Sequence, residues 1–233
     1  MLGKLYGVGV GPGDPELLTL KAVKIIKEAE VIALPRTDEK NITSLEIVKA
    51  VVDISQKEII ELYMPMTRDE DVLSISHQKA AYQLAEILID GKNIAFLTLG
   101  DPAIYSTYIY LHQWMLQAGF QAQIIPGVPS FCAVAAKLND SLCKGDEPLH
   151  IIPASYEDNE DYLDWKGTKV LMKSGKALGK VIKALREKGL LEYSSLVERC
   201  GMDGEKVYVK LSEVQGSTSY FSTIVVKDKE CKS

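Results

Sequence analysis

Over its first half the chain alternates short runs rich in aliphatic and β-branched residues, at 5–10, 31–34, 59–63, 94–99 and 123–125, with stretches whose apolar residues recur at helical spacing, at 15–29, 45–52, 75–89 and 106–117. That rhythm leaves few folds open, because strands separated by a helix's length of chain pair in parallel through crossover helices. Asp14-Pro15-Glu16 supplies a capping residue, a proline suited to the first helical position and an acid for the first turn. Leu18, Ala22, Ile25 and Ala29 then fall on one face, so a helix is expected over 15–29. Gly119 is placed to close the helix at 106–117.

After Pro126-Gly127-Val128-Pro129 the rhythm changes. A small-residue helix at 131–137 leads into strand patterns at 150–153, 170–173, 195–198, 206–210 and 221–226, with one helix at 177–188 closed by Gly189. The later strands have no helix between them, which points to a mixed or antiparallel sheet. The chain of 233 residues is thus expected to be an α/β protein of two α/β domains. Residues 1–127 carry a mostly parallel sheet with crossover helices, and residues 128–233 carry a smaller mixed sheet.

Charge and composition narrow the partners. A net charge of −5 argues against non-specific binding of a long polyanion, so no nucleic-acid partner is expected. No apolar run is long enough to span a bilayer, and the N-terminus lacks the features of a secretory signal, so no membrane partner and a cytoplasmic location are expected. The cysteines Cys132, Cys143, Cys200 and Cys231 form no Cys-x-x-Cys pair, and His77, His112 and His150 stand far apart. No protein-ligated metal is expected, and free thiols fit a reducing compartment.

Three glycine-rich turns follow strand patterns. The first, Gly7-Val8-Gly9-Val10-Gly11-Pro12-Gly13-Asp14-Pro15, has no Gly-x-Gly-x-x-Gly register, and Pro12 removes an amide that a pyrophosphate cradle would use, which disfavours a dinucleotide loop. A tight βα turn built for backbone geometry alone is the plain alternative. The second, Thr98-Leu99-Gly100-Asp101-Pro102-Ala103-Ile104-Tyr105-Ser106, stands at the carboxyl end of a strand, where open α/β sheets bind ligands. The third, Ile125-Pro126-Gly127-Val128-Pro129-Ser130, offers Ser130 as a helix cap. A fourth segment, Ser174-Gly175-Lys176-Ala177-Leu178-Gly179-Lys180-Val181, is one residue short of a Walker loop and has Val181 where Ser or Thr is required.

Taken in order, the three turns resemble those of the tetrapyrrole methylases, whose first strand ends in Gly-x-Gly-Pro-Gly-Asp and whose fourth ends in Gly-Asp-Pro. Val170-Leu171-Met172-Lys173 and Val197-Glu198-Arg199-Cys200-Gly201 occupy the places of the family's two second-domain cofactor segments. Within the family, the first two turns and the closing Tyr220-Phe221-Ser222-Thr223 look most like the members that methylate carbon 20 of precorrin-2 or cobalt-factor II. The resemblance implies S-adenosyl-L-methionine held in a cleft between two α/β domains, a tetrapyrrole substrate on the path to cobalamin, and a homodimer. It places the cofactor against Pro12, Leu99, Gly100, Asp101, Ile104, Pro129, Ser130, Met172 and Cys200. Two positions depart from the usual pattern, since relatives often carry Thr in place of Pro129 and Gly in place of Cys200.

Such a reaction asks little of the protein. A reduced tetrapyrrole has an electron-rich meso carbon that can attack a sulfonium methyl itself, so alignment and exclusion of water are the main tasks. Asp14, Asp101 and Tyr105 are candidate helpers in removing the meso proton, none of them expected to be indispensable. The substrate's acetate and propionate groups call for cations, and Arg36, Arg68, Lys173 and Arg199 are the candidates. Methylation by the same fold of another corrin precursor or uroporphyrinogen, of ribosomal RNA or of a translation factor, and cofactor sensing without chemistry, are the alternatives.

Overall fold

In the computed structural model, which describes residues 1–37, 43–154 and 161–228, the chain divides into two compact units, Met1–Pro129 and Ser130–Ser233. The first is built on strands β1 (Lys4–Gly9), β2 (Val31–Arg36), β3 (Glu58–Tyr63), β4 (Ile94–Thr98) and β5 (Gln121–Ile125). They form one sheet in the order β3-β2-β4-β1-β5 with every pair parallel. All five carboxyl ends therefore emerge on one edge of the sheet, and the glycine turns after β1, β4 and β5 are neighbours because those strands are neighbours.

Both faces of the sheet are covered, as an all-parallel sheet requires. Helices α1 (Leu20–Glu28) and α2 (Thr43–Lys49) lie on one face, where Val8, Ile32, Ala95 and Leu97 meet Ala22, Ile26 and Val48. Helices α3 (Glu70–Ile89) and α4 (Tyr108–Gln117) cover the other, with Leu5, Ile94 and Phe96 against Leu84, Leu88 and Leu111. The ring of Tyr108 packs on β1 at Gly7, where an added Cβ would lie 2.0 Å from its Cε1. The first glycine of the turn motif thus serves packing within the core.

The first helix differs from the sequence expectation of one element over 15–29. Asp14 caps a short 3₁₀ turn at Pro15–Leu17, its carboxylate accepting the Glu16 amide at 2.9 Å, and Leu18 then returns to extended backbone. α1 starts afresh after Thr19, whose hydroxyl accepts the Ala22 amide at 3.1 Å. A second capping residue five positions on starts a new helix after the extended Leu18, which the continuous apolar stripe conceals.

The second unit contains α5 (Ser130–Leu138), β6 (Leu149–Pro153), β7 (Thr168–Met172), α6 (Leu178–Glu187), β8 (Ser194–Glu198), β9 (Lys206–Tyr208) and β10 (Ser222–Val226). The sheet order is β6-β7-β10-β8-β9, with β6 and β7 parallel and the remaining pairs antiparallel. α6 packs through Leu178, Val181 and Leu185 against Leu171, Leu196 and Ile224. On another cluster, Val134 of α5 meets Val197, Cys200 and Val225.

Candidate cofactor and substrate site

The turns after β1 and β4 are laced together by backbone. Gly11 and Gly100 form an isolated antiparallel bridge, the Gly100 amide donating to the Gly11 carbonyl at 2.7 Å and the Gly11 amide returning a bond at 3.3 Å. Gly100 has φ +74°, a conformation that side chains resist. The third turn closes on both. A Cβ on Gly127 would lie 2.2 Å from the Gly100 carbonyl oxygen and 2.8 Å from the Gly9 Cα, so this approach exists only without side chains.

Asp101 fixes the junction. One carboxylate oxygen accepts the Ala103 amide at 2.7 Å and the other accepts the Gly127 amide at 2.9 Å, joining the second turn to the third. With both oxygens engaged, the group acts as a brace for the two turns. Ile104 follows within the same turn, its amide bonded to the Asp101 carbonyl, and Tyr105 has φ +49° with its side chain half exposed. Pro12 and Asp14 continue the first turn, and Leu99 leads into Gly100. The structure thus gathers Pro12, Leu99, Gly100 and Asp101 on the carboxyl edge of one sheet. Pro129 ends the first unit and Ser130 opens α5 in the second.

Arg36 ends β2 on the same carboxyl edge, its guanidinium 4.0 Å from Glu61 and over the Tyr63 ring. Arg68 lies on the exposed bend before α3, next to Asp69, which caps that helix.

In the second unit the candidates sit where strands end. Met172 is the last residue of β7, and Lys173 follows with φ +56°. Glu198 is the last residue of β8, and Arg199 follows with φ +53°. Four non-glycine residues adopt positive φ among the described residues, namely Tyr105, Asn139, Lys173 and Arg199. Three of these stand in the candidate site, and backbone strain of this kind concentrates where function holds it in place.

A serine and threonine segment knits the same strand ends. Ser174 is fully buried and donates to the Ser222 carbonyl at 3.2 Å, and Ser222 donates to the Ser219 carbonyl at 2.8 Å. The Ser219 amide donates to the buried carboxylate of Glu198 at 2.7 Å. Thr218 Oγ1 and Ser219 Oγ are buried with no partner, beside Gly175, where a Cβ would lie 2.3 Å from the Ser219 carbonyl oxygen. Unpaired hydroxyls are costly inside a protein, and their presence here suits a ligand that pairs with them.

Cys200 is buried, while Cys132 and Cys143 are exposed; none of the three is in a disulfide, and Cys231 lies outside the described residues. No group of three His, Cys, Asp or Glu residues able to hold a metal occurs among the described residues. No helix among them is long and apolar enough to cross a membrane.

A wholly parallel sheet with glycine turns at its carboxyl edge in one unit, and a mixed sheet in the other, make this a two-unit α/β protein. The description of the tetrapyrrole (corrin/porphyrin) methylases matches residues 4–215, and the chain belongs to that family. It is 35% identical to the probable cobalt-precorrin-2 C(20)-methyltransferase of Methanocaldococcus jannaschii, covering 97% of each chain. It is 30% identical to the precorrin-2 C(20)-methyltransferase of Sinorhizobium sp, covering 97% of this chain and 95% of the other. The uroporphyrin-III C-methyltransferase of Thermus thermophilus, solved with S-adenosyl homocysteine, superposes with a TM-score of 0.70 at 20% identity, covering 97% and 98% of the two chains, a likeness of fold.

Proposed function

We propose that this chain transfers the methyl group of S-adenosyl-L-methionine to the meso carbon 20 of precorrin-2 or its cobalt form, in cobalamin biosynthesis. The observation that carries the reading is the near-complete overlap, at 30% and 35% identity, with two carbon-20 methyltransferases. The convergence of three glycine turns on one sheet edge supports it.

The residues present suit this cofactor. Its adenine and ribose call for close approach to backbone, which Gly100, having no Cβ, permits, and for hydroxyl partners, which Thr218 and Ser219 offer. Pro12, Leu99, Gly100, Asp101, Ile104 and Pro129 are the first unit's contacts or supports for it, and Ser130, Met172 and Cys200 are the second's. When bound, it supplies an electrophilic methyl on sulfonium sulfur, and the tetrapyrrole brings its own nucleophilic carbon. Asp101 holds the second and third turns in register. Arg36, Arg68, Lys173 and Arg199 meet the acetate and propionate groups of the substrate. Asp14 and Tyr105 stand as helpers for the departing meso proton, with alignment contributing about 7–11 kcal/mol to lowering the barrier.

A homodimer, which rests on the family resemblance, and a cytoplasmic location, which rests on the sequence having no secretory-signal pattern, are part of the same proposal. Sedimentation at twice the mass of the chain supports the dimer. Mixing the protein with precorrin-2 and cofactor tests the chemistry. A change in the tetrapyrrole spectrum with gain of one methyl in the product is expected. Cofactor binding without transfer would leave a sensor, and methylation of ribosomal RNA instead would leave the RNA alternative.

A further inference from the structure

The turn after β8 holds an unusual amount of left-handed backbone. Arg199, Gly201 and Gly204 have φ of +53°, +73° and +78° within six residues. Its internal bonds run from the Met202 amide to the Arg199 carbonyl at 2.8 Å and from Arg199 Nε to the Asp203 carbonyl at 2.7 Å. One further residue reaches across it. Glu205 accepts the Gly201 amide through Oε2 at 2.7 Å, and its Oε1 lies 2.8 Å from Lys137 Nζ. The Gly201 amide first, and then Lys137, hold its carboxyl below the ordinary carboxylate range.

Lys137 stands in the last turn of α5, the helix that Ser130 opens, and Val134 of that helix packs against Cys200. The carboxylate therefore ties the turn bearing Cys200 and Gly201 to the helix that begins at Ser130, two segments named above as holding the cofactor. We propose that Glu205, secured by Lys137, is a positioning residue that sets the Arg199–Gly201 backbone in the geometry that receives S-adenosyl-L-methionine. The inference rests on the reading of Ser130, Met172 and Cys200 as cofactor contacts. The pair is half-buried at the surface, with the Lys137 side chain 45% and that of Glu205 22% exposed, so solvent still screens it and its contribution to global stability is small. A strained turn is more sensitive, because one charge-assisted bond is enough to shift its population.

Binding of S-adenosylhomocysteine, measured by calorimetry on the ligand-free protein, tests it. Glu205→Ala is expected to bind about ten-fold more weakly, the scale of one lost hydrogen bond to a charged group. Its thermal midpoint should stay within a few degrees of the parent. Glu205→Gln keeps an oxygen for the Gly201 amide and should recover most of the affinity, while Lys137→Met should shift affinity in the same direction as Glu205→Ala by less. In turnover, KM for the cofactor should rise with kcat unchanged. Met172→Ala serves as the reference for the underlying reading. If Met172→Ala weakens binding and Glu205→Ala leaves it within about two-fold, the strut is refuted and the cofactor reading stands. If neither changes affinity, both fall. Should Glu205→Ala not fold, Lys137→Met and Glu205→Gln decide, and wild-type affinity in both refutes the proposal.

Discussion

Gly100 and Asp101 shape the turn after β4, one through its backbone conformation and the other through its two carboxylate bonds. At φ +74° an L side chain is strained by about 1–2 kcal/mol, so Gly100→Ala should lower stability by about that amount and weaken cofactor binding. Calorimetry alongside a urea melt separates the two, and undiminished affinity in the folded variant would move the cofactor away from this turn. Replacing Asp101 removes acceptors from two amides, so Asp101→Ala should cost about 1–3 kcal/mol, whereas Asp101→Asn keeps one oxygen and should cost less. The Gly-Asp-Pro turn was legible in the sequence because glycine, aspartate and proline each have a local reason to stand there. The bond from Asp101 to Gly127 was not, since it spans 26 residues and depends on β1 lying between β4 and β5. Asp14→Asn and Tyr105→Phe test the absence of an indispensable base. In single turnover each should lose less than about ten-thousand-fold, the upper range of positioned proton transfer. A larger loss with both ligands bound would identify an essential base.

Among elements, the strands were readable to within a residue or two because β-branched runs mark buried parallel strands, and β4 (Ile94–Thr98) is buried throughout. Helix starts were harder. α3 begins at Glu70, five residues before its apolar periodicity, because Asp69 accepts the Asp71 and Val72 amides and starts a polar first turn. In α1 the cap is Thr19, and Thr19→Ala should cost about 1 kcal/mol on a denaturant melt. The sequence also gave no sign that β7 carries a charge inward. Lys169 is 1% exposed and pairs with Asp228, beyond β10, at 2.7 Å, while Asp228 also accepts the Gly167 amide. Burial pushes the Asp228 carboxyl upward, but Lys169 and the Gly167 amide outweigh it and hold it below its ordinary value. A depressed carboxyl contributes stability that is fully present above the unfolded-state value and is lost as pH falls through the folded one. Asp228→Asn leaves a buried ammonium uncompensated and should cost about 3 kcal/mol, the lower end for broken buried pairs because Asp228 keeps a fifth of its exposure. Unfolding midpoints between neutral and strongly acid pH should converge with the parent's on acidification, and a constant difference would contradict the assignment.

At the scale of the whole chain, each unit has its own apolar core, and the candidate cofactor segments are divided between the two. The sequence suggests a division between residues 127 and 128, where crossover helices give way to strands close in sequence, and the compact units meet in sequence at Pro129 and Ser130. The placement of each strand end within its sheet was not legible, because strand order follows from which apolar faces pack, as in β3-β2-β4-β1-β5, where the first strand lies fourth. A ligand that binds only the folded chain stabilises it by about 2.7 kcal/mol at a hundred times its dissociation constant. How that stabilisation is shared depends on which segments hold the ligand. Hydrogen exchange with S-adenosylhomocysteine present should therefore slow at the amides of Gly100, Asp101, Ala103 and Ile104 in the first unit and at those of Lys173, Cys200 and Gly201 in the second. Tyr6 and Ala95, within the buried strands of the first sheet, exchange only by larger openings and report its global stability. Protection at either set of turn amides, beyond what global stabilisation gives, supports the proposed cofactor contacts of that unit. Protection confined to the first set would leave Met172 and Cys200 without a role in binding, and the proposed division of the cofactor site would then be wrong.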